Sequence, residues 1–126
     1  MAEVTAEKNE QIEKMNFGSI YPHYLNRIEK HGRTKEELDR VIMWLTGYEQ
    51  NKLDSFIIGN GTFGDFFREA KVHQNAHMIK GLVCGYRIEE IPEAFALYRD
   101  CRRMEKLIDE LAKGRKMEKI LRKERK

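Results

Sequence analysis

Leu97, Cys101, Met104, Ile108 and Leu111 recur at intervals of four, three, four and three residues, and most positions between them are charged. An α-helix brings residues three and four apart onto one face, so this stretch reads as a helix with one apolar seam. Pro92 is placed to start it and Gly114 to close or kink it. A seam of about two heptads has to be covered, either by the rest of the chain or by a second copy. The remaining residues must therefore supply apolar faces of matching shape, or the protein is a homodimer through its C-terminal helix.

Upstream, short helical stretches are punctuated by glycine. Tyr21, Tyr24, Leu25 and Ile28 share a face behind Pro22, which suits a first helical position, and Gly32 stops that helix. Thr34 and Glu37 have the spacing of a capping box, and Leu38, Val41, Ile42 and Leu45 follow, with Met43 and Trp44 widening the stripe before Gly47. Leu53 to Ile58 precedes the turn signal Gly59-Asn60-Gly61; with no alternating run elsewhere to pair with, it reads as the end of a helix and not as a strand. Thr62 is placed to cap a helix carrying Phe63, Phe66, Phe67 and Ala70, and Asn75 one carrying Met78, Ile79, Leu82 and Val83. Residues 1–15, with only Val4, Ile12 and Met15 as sizeable apolar groups, read as a flexible or frayed arm or a short helix.

The predicted fold is all-α: a compact bundle of about five to seven helices with a long C-terminal helix and a basic tail. Residues 16–122 form a single helical domain, and 123–126 are a basic end. The 126 residues suffice for one core, and 36% charged residues fit charge-laced outer helix faces. Cys84 and Cys101 follow neither a Cys-x-x-Cys redox pattern nor zinc-ribbon spacing, so both read as buried free thiols of a reducing compartment. With no signal-peptide pattern and no apolar run near 18 residues, a cytoplasmic protein without membrane contact is expected.

Several joined motifs carry a resemblance: Ile20-Tyr21-Pro22-His23-Tyr24, Gly32-Arg33-Thr34-Lys35, Trp44-Leu45-Thr46-Gly47-Tyr48, Phe66-Phe67, Gly81 to Ile91, and Lys106 to Gly114. Over residues 17–122 the chain resembles the bacterial family called domain of unknown function 2200. The resemblance implies a small all-α fold of orthogonally packed helices and implies no activity.

The stretch Gly81 to Ile91 gathers the most chemistry: Cys84, Tyr86, Arg87, Glu89 and Glu90 beside two glycines. Arg87 can hold a carboxylate or phosphate through two hydrogen bonds, and paired carboxylates can share a proton. The plainer reading makes Glu89 and Glu90 favourable charges at the start of the long helix and Arg87 their salt-bridge partner. Cys84 is a nucleophile only where its pKa is lowered, and Leu82-Val83-Cys84 reads instead as an apolar run entering a Gly85 turn. His23, Trp44 and Tyr48 belong to aromatic motifs that line either a pocket or the core. His73 and His77 are four apart but lack the glutamate of a zinc hydrolase motif, and an Asn75 cap would divide them, so no metal and no cofactor is expected.

Residues 113–126 hold eight basic and two acidic residues, a local charge of +6 within a net charge of +3. Arg115, Lys116, Lys119, Arg122 and Lys123 are the candidates for phosphate contact. The helix, Cys84-Gly85-Tyr86 turn, helix outline resembles a helix-turn-helix, but Ile88 to Ile91 offers glutamates where a reading helix needs Arg, Asn or Gln. No complete nucleophile, base and orienter can be named. The expectation is a non-enzymatic helical module binding a protein or small molecule. A nucleic-acid-associated protein using the tail is the alternative, and an enzyme using Cys84 or the Arg87/Glu89/Glu90 cluster a third reading.

Overall fold

A computed structural model describes residues 4–122. Its elements are α1 (Ala6–Lys14), α2 (Phe17–Glu29), α3 (Lys35–Thr46), α4 (Gln50–Ile58), α5 (Phe63–Glu69), the strands β1 (Leu82–Val83) and β2 (Tyr86–Arg87), α6 (Ala96–Ala112) and α7 (Met117–Ile120), with short 3-10 turns between 76 and 95. Lys123 lies outside the described residues. The long helix α6 is the axis of the bundle, touching α1, α2, α3, α5, α7 and the β1 strand.

The periodic seam explains that central place. Cys101, Met104, Ile108 and Leu111 are fully buried, and Tyr98, Leu107 and Ala112 widen the covered face beyond the seam. The seam is thus covered from within the chain. Around it a phenylalanine cluster forms the other half of the core, with Phe17 stacked on Phe66 at 4.2 Å and Phe56 and Phe63 edge-on to Phe17.

The helix ends follow the sequence signals in most places. Thr34 with Glu37 and Thr62 with Asp65 both close as capping boxes, and Gly47 ends α3 in the left-handed conformation. At the end of α6, Gly114 N–H bonds to Leu111 O and Arg115 N–H to Glu110 O, a Schellman closure that satisfies two carbonyls left over by the helix.

Three expectations about secondary structure are corrected. Helix α2 starts at Phe17 and not at Pro22, because the side chain of Asn16 accepts the Ser19 N–H at 2.8 Å and begins the helix a turn and a half earlier. Gly18 makes this possible: a Cβ there would come within 2.4 Å of the Ile57 carbonyl oxygen, so only glycine lets α2 lie against the end of α4. Of the two readings of the N-terminal stretch, an arm or a short helix, the structure has the helix, Ala6–Lys14, docked on α5 and α6. It covers a second small apolar cluster of Tyr86, Ile91 and Tyr98, held by Lys8 Nζ to Tyr86 Oη at 2.9 Å and by Tyr98 N–H to Asn9 Oδ1 at 3.2 Å.

The other two corrections concern residues 70–95. No α-helix runs from Asn75 to Val83, only a 3-10 turn at Ala76–Met78; the segment just before it lies along the end of α3, where Lys71 and His73 N–H groups reach the Thr46 and Leu45 carbonyls that a helix C-terminus leaves free. Gly81 to Ile91 is a β-hairpin instead of a helix-to-helix elbow, with Leu82 opposite Arg87 and Val83 opposite Tyr86. Glu89 and Glu90 therefore sit in a 3-10 turn and do not open α6; Glu89 accepts the Gly81 N–H at 2.9 Å.

These caps make stability depend on pH. A hydrogen bond from Arg33 holds Glu37 below the usual carboxylate range, the Thr62 backbone N–H does so for Asp65, and the Gly81 N–H for Glu89. A folded pKa below the unfolded one gives stability that is present above the unfolded value and lost as pH falls through the folded value. Asp100, pushed up by burial, works in the opposite sense but stands alone among these carboxylates. The urea midpoint is expected to be flat near neutrality and to fall below about pH 4, with a shallower fall in Glu37→Gln; an unchanged acid limb in that variant would contradict the role given to Arg33.

Candidate functional site

The hairpin tip is the least ordinary piece of backbone in the chain. Cys84 has φ 52° and Gly85 φ 84°, so both central residues are left-handed, as a type I′ turn requires. Asn-Gly is the preferred pair there, and a cysteine at the first position is strained because its Cβ crowds the carbonyl. Cys84→Asn is expected to raise stability by about 1 kcal/mol, read as a higher melting temperature; an unchanged or lower one would show that the thiol makes a compensating contact.

That thiol is exposed, which corrects its reading as a buried group, whereas Cys101 is buried as expected. Cys84 Sγ lies 3.5 Å from one oxygen of Glu105, and Cys101 Sγ lies 4.0 Å from the other. Partial burial and then the Glu105 charge push the Cys84 thiol up, so at neutral pH it stays protonated and is a poor nucleophile. Glu105 is paired with Arg102, whose guanidinium stacks on Tyr86 and Tyr98 at 5.2 and 4.8 Å and donates to Tyr98 Oη at 2.7 Å. This group fastens the underside of the hairpin to α6.

On its outer side the hairpin overhangs a cleft of about 260 Å³ between the last turns of α2 and α6. Leu82, half exposed, with Val83, Cys84 and Gly85 form one wall, and Arg27, Asp109 and Lys113 the other. Asp109 stands between the two cations, paired with Arg27 through Oδ1 and with Lys113 through Oδ2 at 3.1 Å. Lys106 Nζ reaches the Leu82 carbonyl at 3.2 Å and fixes the rim.

Of the residues singled out in the sequence, only Cys84 lines this cleft. Tyr86 points to the opposite side, into the small cluster under α1. Arg87 lies 3.8 Å from both Glu89 and Glu90 at the surface, loose ion pairs beyond hydrogen-bond distance. His23 is exposed on α2. Trp44 stacks on His73 at 4.1 Å, and Tyr48 donates to the Phe66 carbonyl with its ring beside Phe56 and Phe66. Burial pushes the Tyr48 phenol up to about 12. A wider depression of about 550 Å³ at the α3–α4 turn includes Tyr48 but is shallow, and the tyrosine hydroxyl is committed inward. His73 and His77 bond to their own loop, through Asn75 N–H and Gln74 O, and no group of three metal-ligating side chains exists among the described residues.

The basic tail is partly spent inside the fold. Arg122 makes a two-pronged pair with the buried Glu110 at 2.6 and 2.9 Å, and Arg115 reaches the same carboxylate at 3.0 Å. Asn75 Nδ2 holds the Arg122 carbonyl and Arg33 the Arg115 carbonyl, both at 2.8 Å. Lys116 and Lys119 remain exposed.

The sequence model of a family described as "Uncharacterized protein conserved in bacteria (DUF2200)" matches residues 11–122. The chain belongs to this family. Every residue lining the cleft, from Arg27 to Lys113, lies within the stretch matched to DUF2200. The crystal structure of uncharacterized protein SP1917 is similar, with a TM-score of 0.82 and 35% identity over 90% of this chain and 92% of that one. The comparison with curated proteins finds no match. Among the described residues no helix is long and apolar enough to cross a membrane.

The sequence reading passed over Arg27, Leu82 and Asp109 as site residues. The one local signal was the four-residue spacing of Asp109 and Lys113 on α6, which is ordinary for an exposed helix pair.

Proposed function

We propose that this DUF2200 chain is a non-enzymatic helical module of the bacterial cytoplasm that binds a partner protein through the cleft under the hairpin tip. The size of the cleft carries the reading. Sites for whole small molecules enclose about 300–1,000 Å³, and about 260 Å³ beside an exposed leucine suits one inserted side chain with flanking backbone. The protonated Cys84 thiol supports binding over covalent chemistry. The engagement of Arg115 and Arg122 by Glu110 leaves the tail a weak basis for a nucleic-acid function.

The test is capture from a bacterial lysate on immobilised wild type and on Leu82→Glu. This substitution is at a half-exposed wall position and leaves the core intact. A specific protein retained by wild type and depleted about tenfold or more on the variant is expected, since central apolar contacts dominate binding energy. Equal retention on both, or none on either, would overturn the proposal.

A further inference from the structure

Resting on that reading of the cleft, we infer that the group it recognises is a carboxylate of the partner, taken up by the spare donors of Arg27 and Lys113 beside Asp109. Asp109 is already an internal occupant of this kind: a carboxylate held between a guanidinium from α2 and an ammonium from α6. Both cations have donors to spare. Arg27 side chain is 46% exposed and carries five N–H donors, and Lys113 is 73% exposed and carries three. Asp109 is only 14% exposed and already accepts from both, so an incoming cation would meet two like charges, whereas an incoming carboxylate meets solvent-facing donors. The cleft lining has two cations against one anion; just outside it Lys106 adds a positive group, and Glu105, 3.5 Å from Cys84 Sγ, is paired with Arg102.

The site can share its cations without giving up its first occupant. Asp109, only 14% exposed, keeps one contact to each cation, while the remaining donors of Arg27 and Lys113 face solvent and turn to a new carboxylate. An arginine presents a planar fork that accepts a carboxylate through two parallel bonds, which the single contact to Asp109 leaves unused. Leu82 and Val83 opposite the cations give the methylenes of a glutamate, or the chain before a free C-terminus, an apolar wall. The carboxylate comes from an acidic side chain or from a chain end, and the test separates the two.

Amide spectra of the labelled protein are recorded against four peptides. Three have both ends blocked and read Gly-Glu-Gly, Gly-Gln-Gly and Gly-Lys-Gly; the fourth is Gly-Gly-Gly acetylated at its N-terminus with its carboxylate free. Shifts at Leu82 to Gly85 and around Lys113 are expected with the glutamate or the free-carboxylate peptide, about tenfold stronger than with glutamine, because hydrogen bonds to charged groups carry that difference. Asp109→Asn removes the competing carboxylate and should tighten binding several-fold, while Arg27→Gln should weaken it about tenfold. Glutamine binding as well as glutamate, or lysine preferred with loss in Asp109→Asn, would overturn the carboxylate inference and leave the cleft as the binding site. No shift at the hairpin from any of the four peptides would overturn both.

Discussion

Glu110→Ala is expected to lower the unfolding free energy by about 3 to 5 kcal/mol, the loss seen when one partner of a buried ion pair is removed. Glu110 is 7% exposed, and its two oxygens hold Arg122 at 2.6 and 2.9 Å and Arg115 at 3.0 Å. The Arg122 side chain, 12% exposed, would be left as a nearly buried charge without its counter-ion. For a domain of this size the melting temperature should fall by about 10 to 20 °C. Because the same carboxylate ties down the approach to α7, trypsin should cut after Arg115 in the folded variant and not in wild type. Pairing Glu110→Leu with Arg122→Leu should recover most of the loss, since an apolar replacement leaves neither charge buried. A melting temperature within about 2 °C of wild type would mean that the tail is held by Ile120 and Leu121 packing alone.

The second large effect is expected at Asp39, which is 2% exposed and joins three helices. It accepts from the Tyr21 hydroxyl of α2, from Lys35 Nζ at 2.6 Å, and from Gln50 Nε2 of α4 at 3.1 Å. Asp39→Ala leaves the buried Tyr21 hydroxyl without an acceptor and unties α4, at a cost of about 2 to 4 kcal/mol. Tyr21→Phe removes one donor and leaves Asp39 two others, so about 1 kcal/mol is expected. Burial and the Asp39 contact both push the Tyr21 phenol well above its ordinary value. Its folded pKa is raised, so this stability is complete below the unfolded tyrosine value and is lost as pH rises through the folded one. Chemical denaturation of the two variants checks the order; equal losses would show that the tyrosine, and not the whole network, carries the effect.

Most of the bundle was legible because its signals are local. The seam of α6 and the stripe of α3 show their period within a few turns, and Thr34, Thr62, Gly47 and Gly114 act on residues three or four away. The start of α2 was hidden because Asn16 precedes Phe17-Gly18, and Gly18 looks like a break until the Ile57 carbonyl is seen against it. Two-residue strands are too short to show alternation, and the type I′ turn carries cysteine where asparagine would have announced it. The candidate site was the least legible part. Arg27, Leu82 and Asp109 are far apart in the chain and meet only because α2 and the hairpin pack on the same helix. The cluster that drew attention in the sequence, Arg87 with Glu89 and Glu90, lies on the hairpin away from the cleft, with Glu89 accepting the Gly81 N–H.

The most direct measurement of the account is the amide hydrogen-exchange footprint of the captured partner on this chain. Added protection is predicted at Leu82 to Arg87 and in the last turn of α6 around Asp109 and Lys113. Protection confined to Lys116 to Ile120, or to the α3–α4 turn from Gly47 to Ser55, with the hairpin amides unchanged, would contradict it.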